Sequence, residues 1–122
     1  MNETAVKIIE DYFNNYSEES YFERRRLVET IFKNFRQITD TKLKNSLETI
    51  LESDKVLCER LSDPQICRSH EIFIKMYIDD THRTAKEIAR SKYMSVNTVY
   101  RDVEQTFERL TILIFGLYGL KI

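Results

Sequence analysis

Asn97, Thr98, Arg101 and Gln105 lie within a nine-residue stretch, and Asn97, Arg101 and Gln105 follow one another at steps of four. On a helix that spacing places the three side chains on one face, with Thr98 beside the first of them. Their shared chemistry is hydrogen bonding to base edges. An Asn amide pairs bidentately with adenine, an Arg guanidinium with guanine, and a Thr hydroxyl suits a base or a phosphate. Around them stand groups suited to phosphate oxygens: Arg83, Lys86, Arg90 and Lys92 as cations, and Ser95 as a hydroxyl. Residues 83–101 hold five Lys/Arg against the single acid Glu87, a local charge of +4 in a chain whose total is −1. Such asymmetry is the electrostatic footprint of a surface that faces phosphate.

The elements needed to hold these side chains are legible on either side of them. Thr84-Ala85-Lys86-Glu87 is a capping box, in which hydroxyl and carboxylate satisfy each other's backbone donors. A short helix follows, with Ile88 and Ala89 apolar and Lys86, Glu87 and Arg90 polar. The pattern breaks at Tyr93-Met94, and Ser95 offers a second N-cap. From there Val99, Val103, Phe107, Leu110 and Ile114 recur at helical spacing. Two helices joined by a short turn build a helix-turn-helix, whose second helix places its N-terminal end in the major groove. Ala89 is small, as close crossing of two helices requires. A competing reading keeps the same helices in a protein that never touches DNA, with the basic cluster as a solvated face.

The run from Glu87 to Val103, EIARSKYMSVNTVYRDV, and its continuation to Phe115-Gly116 resemble the C-terminal part of phage-type transcriptional regulators of the ArpU and RinA kind. These in turn look like the promoter-reading helix-turn-helix of sigma factors, their region four. The most specific piece is Thr98 to Val103, followed by Glu108-Arg109-Leu110 and the apolar Ile112 to Gly116. The resemblance covers the last third of the chain and fades upstream of Pro64. It implies a small bacterial or prophage-encoded protein that binds promoter-proximal DNA and regulates late or accessory genes. Lys92 departs from the Leu expected at its position, and Tyr93 stands where the turn often carries Gly.

Composition bounds the rest. A chain of 122 residues, 42% of them apolar, buries one core or two small helical lobes that share an interface. Two glycines and one proline are too few for hairpins or meanders, so helices are expected throughout. No apolar run is long enough to span a membrane, and the acidic N-terminus is unlike a signal peptide, which points to the cytoplasm, at the nucleoid when bound to DNA. Residues 1–82 sum to −4 and residues 102–122 to −1, an acidic body carrying a basic head. Cys58 and Cys67 form neither a disulfide framework nor a CxxC motif. Cys67 and His70 would supply half of a zinc site, with Cys58 and His82 completing it. That spacing matches no known module, and free cysteines are common in cytosolic cores, so no metal or other cofactor is expected. Asp79-Asp80 reads as a connecting turn rather than an acid–base pair.

Upstream, Ala5, Ile8, Ile9, Tyr12 and Phe13 predict a first helix over residues 3–13. Ser17 caps a second, over about residues 18–37, whose apolar face is Tyr21, Val28, Ile31, Phe32, Phe35 and Ile38. Arg24-Arg25-Arg26 on that helix reads as a solvated face among Glu18, Glu19, Glu23 and Glu29, the alternative being contact with phosphate or an acidic partner. A third helix runs from the Thr39-Asp40-Thr41 cap to Leu61, with a seam of Leu43, Leu47, Ile50, Leu57 and Leu61. Asp54 interrupts that seam, where the helix would bend or end and Ser53-Asp54 would cap a new start. Asp63-Pro64 opens a broadly apolar supporting helix through Ile78. The last helix is apolar nearly all round from Ile112 to Leu117, so it must dock on the N-terminal helices or pair with a second subunit in a homodimer.

The expected architecture is therefore all-α. Residues 1–62 form an N-terminal helical region for polymerase contact, other partners or dimerisation. Residues 63–122 form a helix-turn-helix DNA-binding domain with a long last helix. No nucleophile–base set or phosphate-cradling glycine loop is present, so a non-enzyme is expected: a sequence-specific transcriptional regulator, an activator in sign, acting on double-stranded DNA. Base contacts would come from Asn97, Thr98, Arg101 and Gln105; phosphate contacts from Arg83, Lys86, Arg90, Lys92 and Ser95. The alternatives are a sigma-like factor that engages core RNA polymerase, and a protein-interaction adaptor or anti-activator that does not use DNA.

Overall fold

The computed structural model describes residues 21–116. The expected helix over residues 3–13, the Ser17 cap and Leu117 of the expected apolar run lie outside the described residues. Within them the chain forms five α-helices and no strand: α1 (Tyr21–Lys33), α2 (Thr41–Leu61), α3 (Pro64–Phe73), α4 (Ala85–Lys92) and α5 (Val96–Phe115). A short 3₁₀ turn, Phe35–Gln37, follows α1, and a π-helical segment, Ile74–Ile78, continues α3.

Local chemistry sets most of the boundaries. Asp40 caps α2 by accepting from the Leu43 amide at 3.1 Å, and Ser62 ends it in the left-handed region at φ 52°. Asp63 then accepts from the Gln65 and Ile66 amides, with Pro64 in the first turn of α3, where its missing donor costs nothing. The second helix expected from the sequence is shorter than its apolar pattern suggested. It stops at Lys33, where the Asn34 amide group donates to the Thr30 carbonyl at 2.8 Å and competes with the helical backbone. Phe35 reaches the core from the 3₁₀ turn instead.

α5 is the axis of the molecule. Val99, Val103, Phe107, Leu110 and Ile114 are all buried along it, and α1, α2, α3 and α4 each pack against it. At the centre Phe73 of α3 meets Phe107 edge-on, with ring centroids 5.1 Å apart, and Phe32 of α1 at 5.9 Å. Buried residues on both sides of Pro64 join in one hydrophobic cluster.

α2 corrects the sequence reading. It runs unbroken through Asp54, and its buried seam is Leu43, Ser46, Leu47, Ile50, Leu51, Asp54 and Cys58. Leu57 is half-buried and Leu61 is 54% exposed, so the C-terminal end of the expected stripe is left largely uncovered. Asp54 does not cap a new helix. Its carboxylate is buried because Arg109 and His70, from two other helices, meet it, as described below.

The π segment also lay beyond the apolar pattern. Its closing bond runs from the Asp79 amide to the Ile74 carbonyl at 2.9 Å. Arg36 braces the widened turn, donating to the carbonyls of Asp79 at 2.8 Å and Met76 at 3.2 Å. The last helix docks within the chain: α1 lies against α5, and Ile114 is fully buried. Ile112, Leu113 and Phe115 are only half-buried, so the burial is one-sided rather than all round. Nor is Arg24-Arg25-Arg26 simply a solvated face. Arg25 ion-pairs with Glu104 of α5, and the Arg24 guanidinium stands 5.3 Å from the centre of the Phe115 ring. Arg26 alone of the three is exposed. No helix among the described residues is long and apolar enough to cross a membrane.

Candidate nucleic-acid interface

The expected contact residues lie on α4, the turn Tyr93–Ser95 and the N-terminal half of α5. The capping box forms as its residues dictate: the Glu87 amide donates to the Thr84 hydroxyl at 3.2 Å, and the Thr84 amide to the Glu87 carboxylate at 3.1 Å. The backbone amide of Thr84, then its hydroxyl, hold the Glu87 carboxyl below its ordinary range. At the other end of α4 the Met94 amide reaches the Ala89 carbonyl at 3.0 Å and the Tyr93 amide the Arg90 carbonyl at 3.5 Å. This is a Schellman closure, and it needs a left-handed residue at Tyr93, found at φ 54°. Tyrosine thus occupies the conformation that usually selects glycine. The residue is 96% exposed.

Ser95 starts α5 by accepting from the Thr98 amide at 3.1 Å, and the Ser95 and Thr98 hydroxyls are 2.9 Å apart. Both side chains are therefore engaged in the cap as well as being expected DNA contacts. Asn97 and Arg101 are exposed on adjacent turns, while Thr98 and Gln105 are half-buried. Tyr100, 51% exposed between Asn97 and Arg101, was not singled out from the sequence. Next along the outer side come Glu104 and Glu108, both exposed, so the basic end of α5 gives way to an acidic one.

The expected phosphate-binding cations divide into two groups. Among the described residues Lys86, Arg90 and Arg101 are exposed and meet no carboxylate at ion-pair distance, and Arg83 is half-buried and likewise unpaired. Lys92 differs. Its ammonium pairs with Glu71 of α3 at 3.1 Å, beside the Lys75–Glu71 pair at 2.8 Å. Lys92 stands where an apolar residue was expected, and it links the head to the supporting helix by charge instead of by packing.

Besides its apolar stripe, a set of polar contacts on the inner side of α5 holds the helix in place. Asp102, fully buried, accepts from Arg68 Nε at 2.7 Å and Nη2 at 3.1 Å. Thr106 Oγ1, one turn on, lies 3.1 Å from both the Ser69 and Asp102 carbonyls. Arg109 spans to α2, with Nε 2.7 Å from Asp54 Oδ1 and Nη2 3.2 Å from Oδ2, and His70 Nδ1 lies 2.7 Å from Asp54 Oδ2. Burial pushes the Asp54 carboxyl up, but the bonds from His70 and Arg109 more than offset it and hold it below its ordinary range. The only signal in the sequence was the mismatch itself: Asp54 inside one apolar seam, and Asp102 beside another.

On the far side of α3 an open cavity of about 530 Å³ lies against α2, with Leu51, Cys58, Cys67, His70, Ile74 and Ile78 on its wall. Compared with known proteins, the chain matches no family model, no curated protein and no solved structure.

Proposed function

We propose that this protein is a non-catalytic, sequence-specific transcriptional regulator that inserts the Ser95–Gln105 end of α5 into the major groove of double-stranded DNA. One observation carries the reading: an exposed helix N-terminus bearing Asn97 and Arg101, flanked by unpaired Arg83, Lys86 and Arg90, on a helix whose other side is clamped by buried ion pairs. Rigid support on one side and unpaired polar groups on the other suit a reading head. In this reading Asn97 and Arg101 contact bases, with Gln105 at the edge of the footprint. Arg83, Lys86 and Arg90 hold phosphates, while Ser95 and Thr98 chiefly set the helix start. The cytoplasm, at the nucleoid, is the place such a protein works.

The test is selection of bound duplexes from random and genomic pools at low and moderate salt, with Arg101→Ala in parallel. A shared motif that survives moderate salt and relaxes at one position in the variant is expected, at a cost of about 1–3 kcal/mol. Weak binding that vanishes with salt and ignores the substitution would leave only charge attraction and overturn the reading. The likeness to sigma region four makes core RNA polymerase the protein partner to assay. Co-purification with core enzyme, together with promoter-specific initiation, separates a sigma-like factor from an activator.

A further inference from the structure

Asp54 and Cys58 stand one turn apart on the same side of α2, facing His70 of α3. A carboxylate oxygen of the first, the thiol sulfur of the second and a ring nitrogen of the third all lie within 4.8 Å of one another. The histidine and the cysteine also form part of the cavity wall between the two helices, so an ion has a route from solvent. Thiol, imidazole and carboxylate together are a zinc-type donor set, whereas magnesium and calcium are served by oxygen.

We propose that Asp54, Cys58 and His70 bind a divalent cation of the zinc class, leaving its fourth position toward the cavity. This set differs from the one considered from the sequence, because a buried carboxylate takes the place of His82 and Cys67 lies outside the converging trio. Arg109 is the cation that opposes the ion. It bonds both carboxylate oxygens, with its shorter contact to Oδ1, and in the loaded site it keeps that oxygen while Oδ2 turns to the metal. Ligating carboxylates are commonly held in this way from outside. The ion takes the place of the proton on the cysteine: the S–H bond breaks, a sulfur–metal bond forms, and the proton leaves to solvent. No electron is transferred. Because Arg109 belongs to the helix that carries Asn97 and Arg101, occupancy bears on how α5 is held. The inference stands apart from the DNA reading.

The experiment titrates the full, reduced chain with Co²⁺ and follows thiolate-to-metal charge-transfer absorption, then adds Zn²⁺ to displace it. One ion per chain is expected, with about one proton released for each ion bound. Cys58→Ser and His70→Gln should each weaken binding at least about tenfold, the scale on which even outer-shell changes act. Cys67→Ser should leave it intact. Absence of the absorption at about 1 mM Co²⁺, far above the affinity of a built thiolate site, would overturn the proposal. So would binding that survives Cys58→Ser, or that is lost only with Cys67→Ser. Should His70→Gln fail to fold, the near-isosteric Cys58→Ser, checked by circular dichroism, decides alone.

Discussion

Two buried aspartates decide how α5 sits, and each is held by an arginine fork. Removing one member of such a pair leaves the other charge buried and unmatched, which costs about 3–5 kcal/mol. Asp54→Ala, which strands Arg109 and His70, should therefore lower stability by that amount in urea unfolding, and a loss below about 1 kcal/mol would mean that water already screens the site. Tyr93 runs the other way. A left-handed tyrosine costs roughly 1–2 kcal/mol that glycine does not incur, so Tyr93→Gly should raise the free energy of urea unfolding, by about 1 kcal/mol once the extra freedom of glycine in the unfolded chain is counted. If Tyr93 also touches DNA, the same variant binds more weakly while folding more firmly. The sequence displayed both kinds of residue as anomalies. It could not display their resolution, because Arg109 lies 55 positions from Asp54 and Arg68 lies 34 from Asp102.

At the scale of the element, caps were the most legible feature, since each depends on residues three apart in the chain. Thr84 with Glu87, Ser95 with Thr98, Asp40 with Leu43 and Asp63 with Ile66 all form. Removing the Ser95 hydroxyl should cost about 1 kcal/mol. Hydrogen exchange should locate that loss at residues 96–99; a spread over all of α5 would show that the cap does not act locally. The link between α4 and α3 is electrostatic and hence sensitive to acid. The Lys75 bond, and then that of Lys92, hold the Glu71 carboxyl below its usual range. Its contribution is thus full above the unfolded glutamate value of about 4.3 and fades as pH falls through the lower folded value. Glu71→Gln should flatten that part of the acid unfolding curve, and an unchanged curve would show that the pair is fully screened. Less legible were the π segment and the drift of the α2 seam. The π segment breaks the 3.6-residue period by widening a turn, whereas α2 keeps the period and departs from the expected stripe by seating a charge in the seam and leaving Leu61 uncovered.

For the whole molecule, the scarcity of glycine and proline was enough to indicate an all-α chain, but not which helices would share a core. Phe32, Phe73 and Phe107 join α1, α3 and α5 at one point. Truncating the middle ring, Phe73→Ala, should cost about 3–5 kcal/mol. Because the cluster draws on both sides of Pro64, unfolding followed by helical ellipticity and by tyrosine fluorescence should give one coincident transition, and two separated midpoints would indicate independent lobes. The widened turn at Ile74–Ile78 has one more consequence, for chain length. A π turn takes up a residue more than an α turn over the same advance along the axis, so the chain carries a spare position there. A one-residue deletion within Ile74–Ile78 can let the turn relax to α geometry while α3 and the Asp79–Arg83 connection keep their phase. The same deletion in the middle of α5 would rotate Asn97 and Arg101 by roughly 100° relative to Phe107 and Ile114. A scan of single-codon deletions should thus show a narrow tolerated window at this segment, set between stretches where no deletion survives.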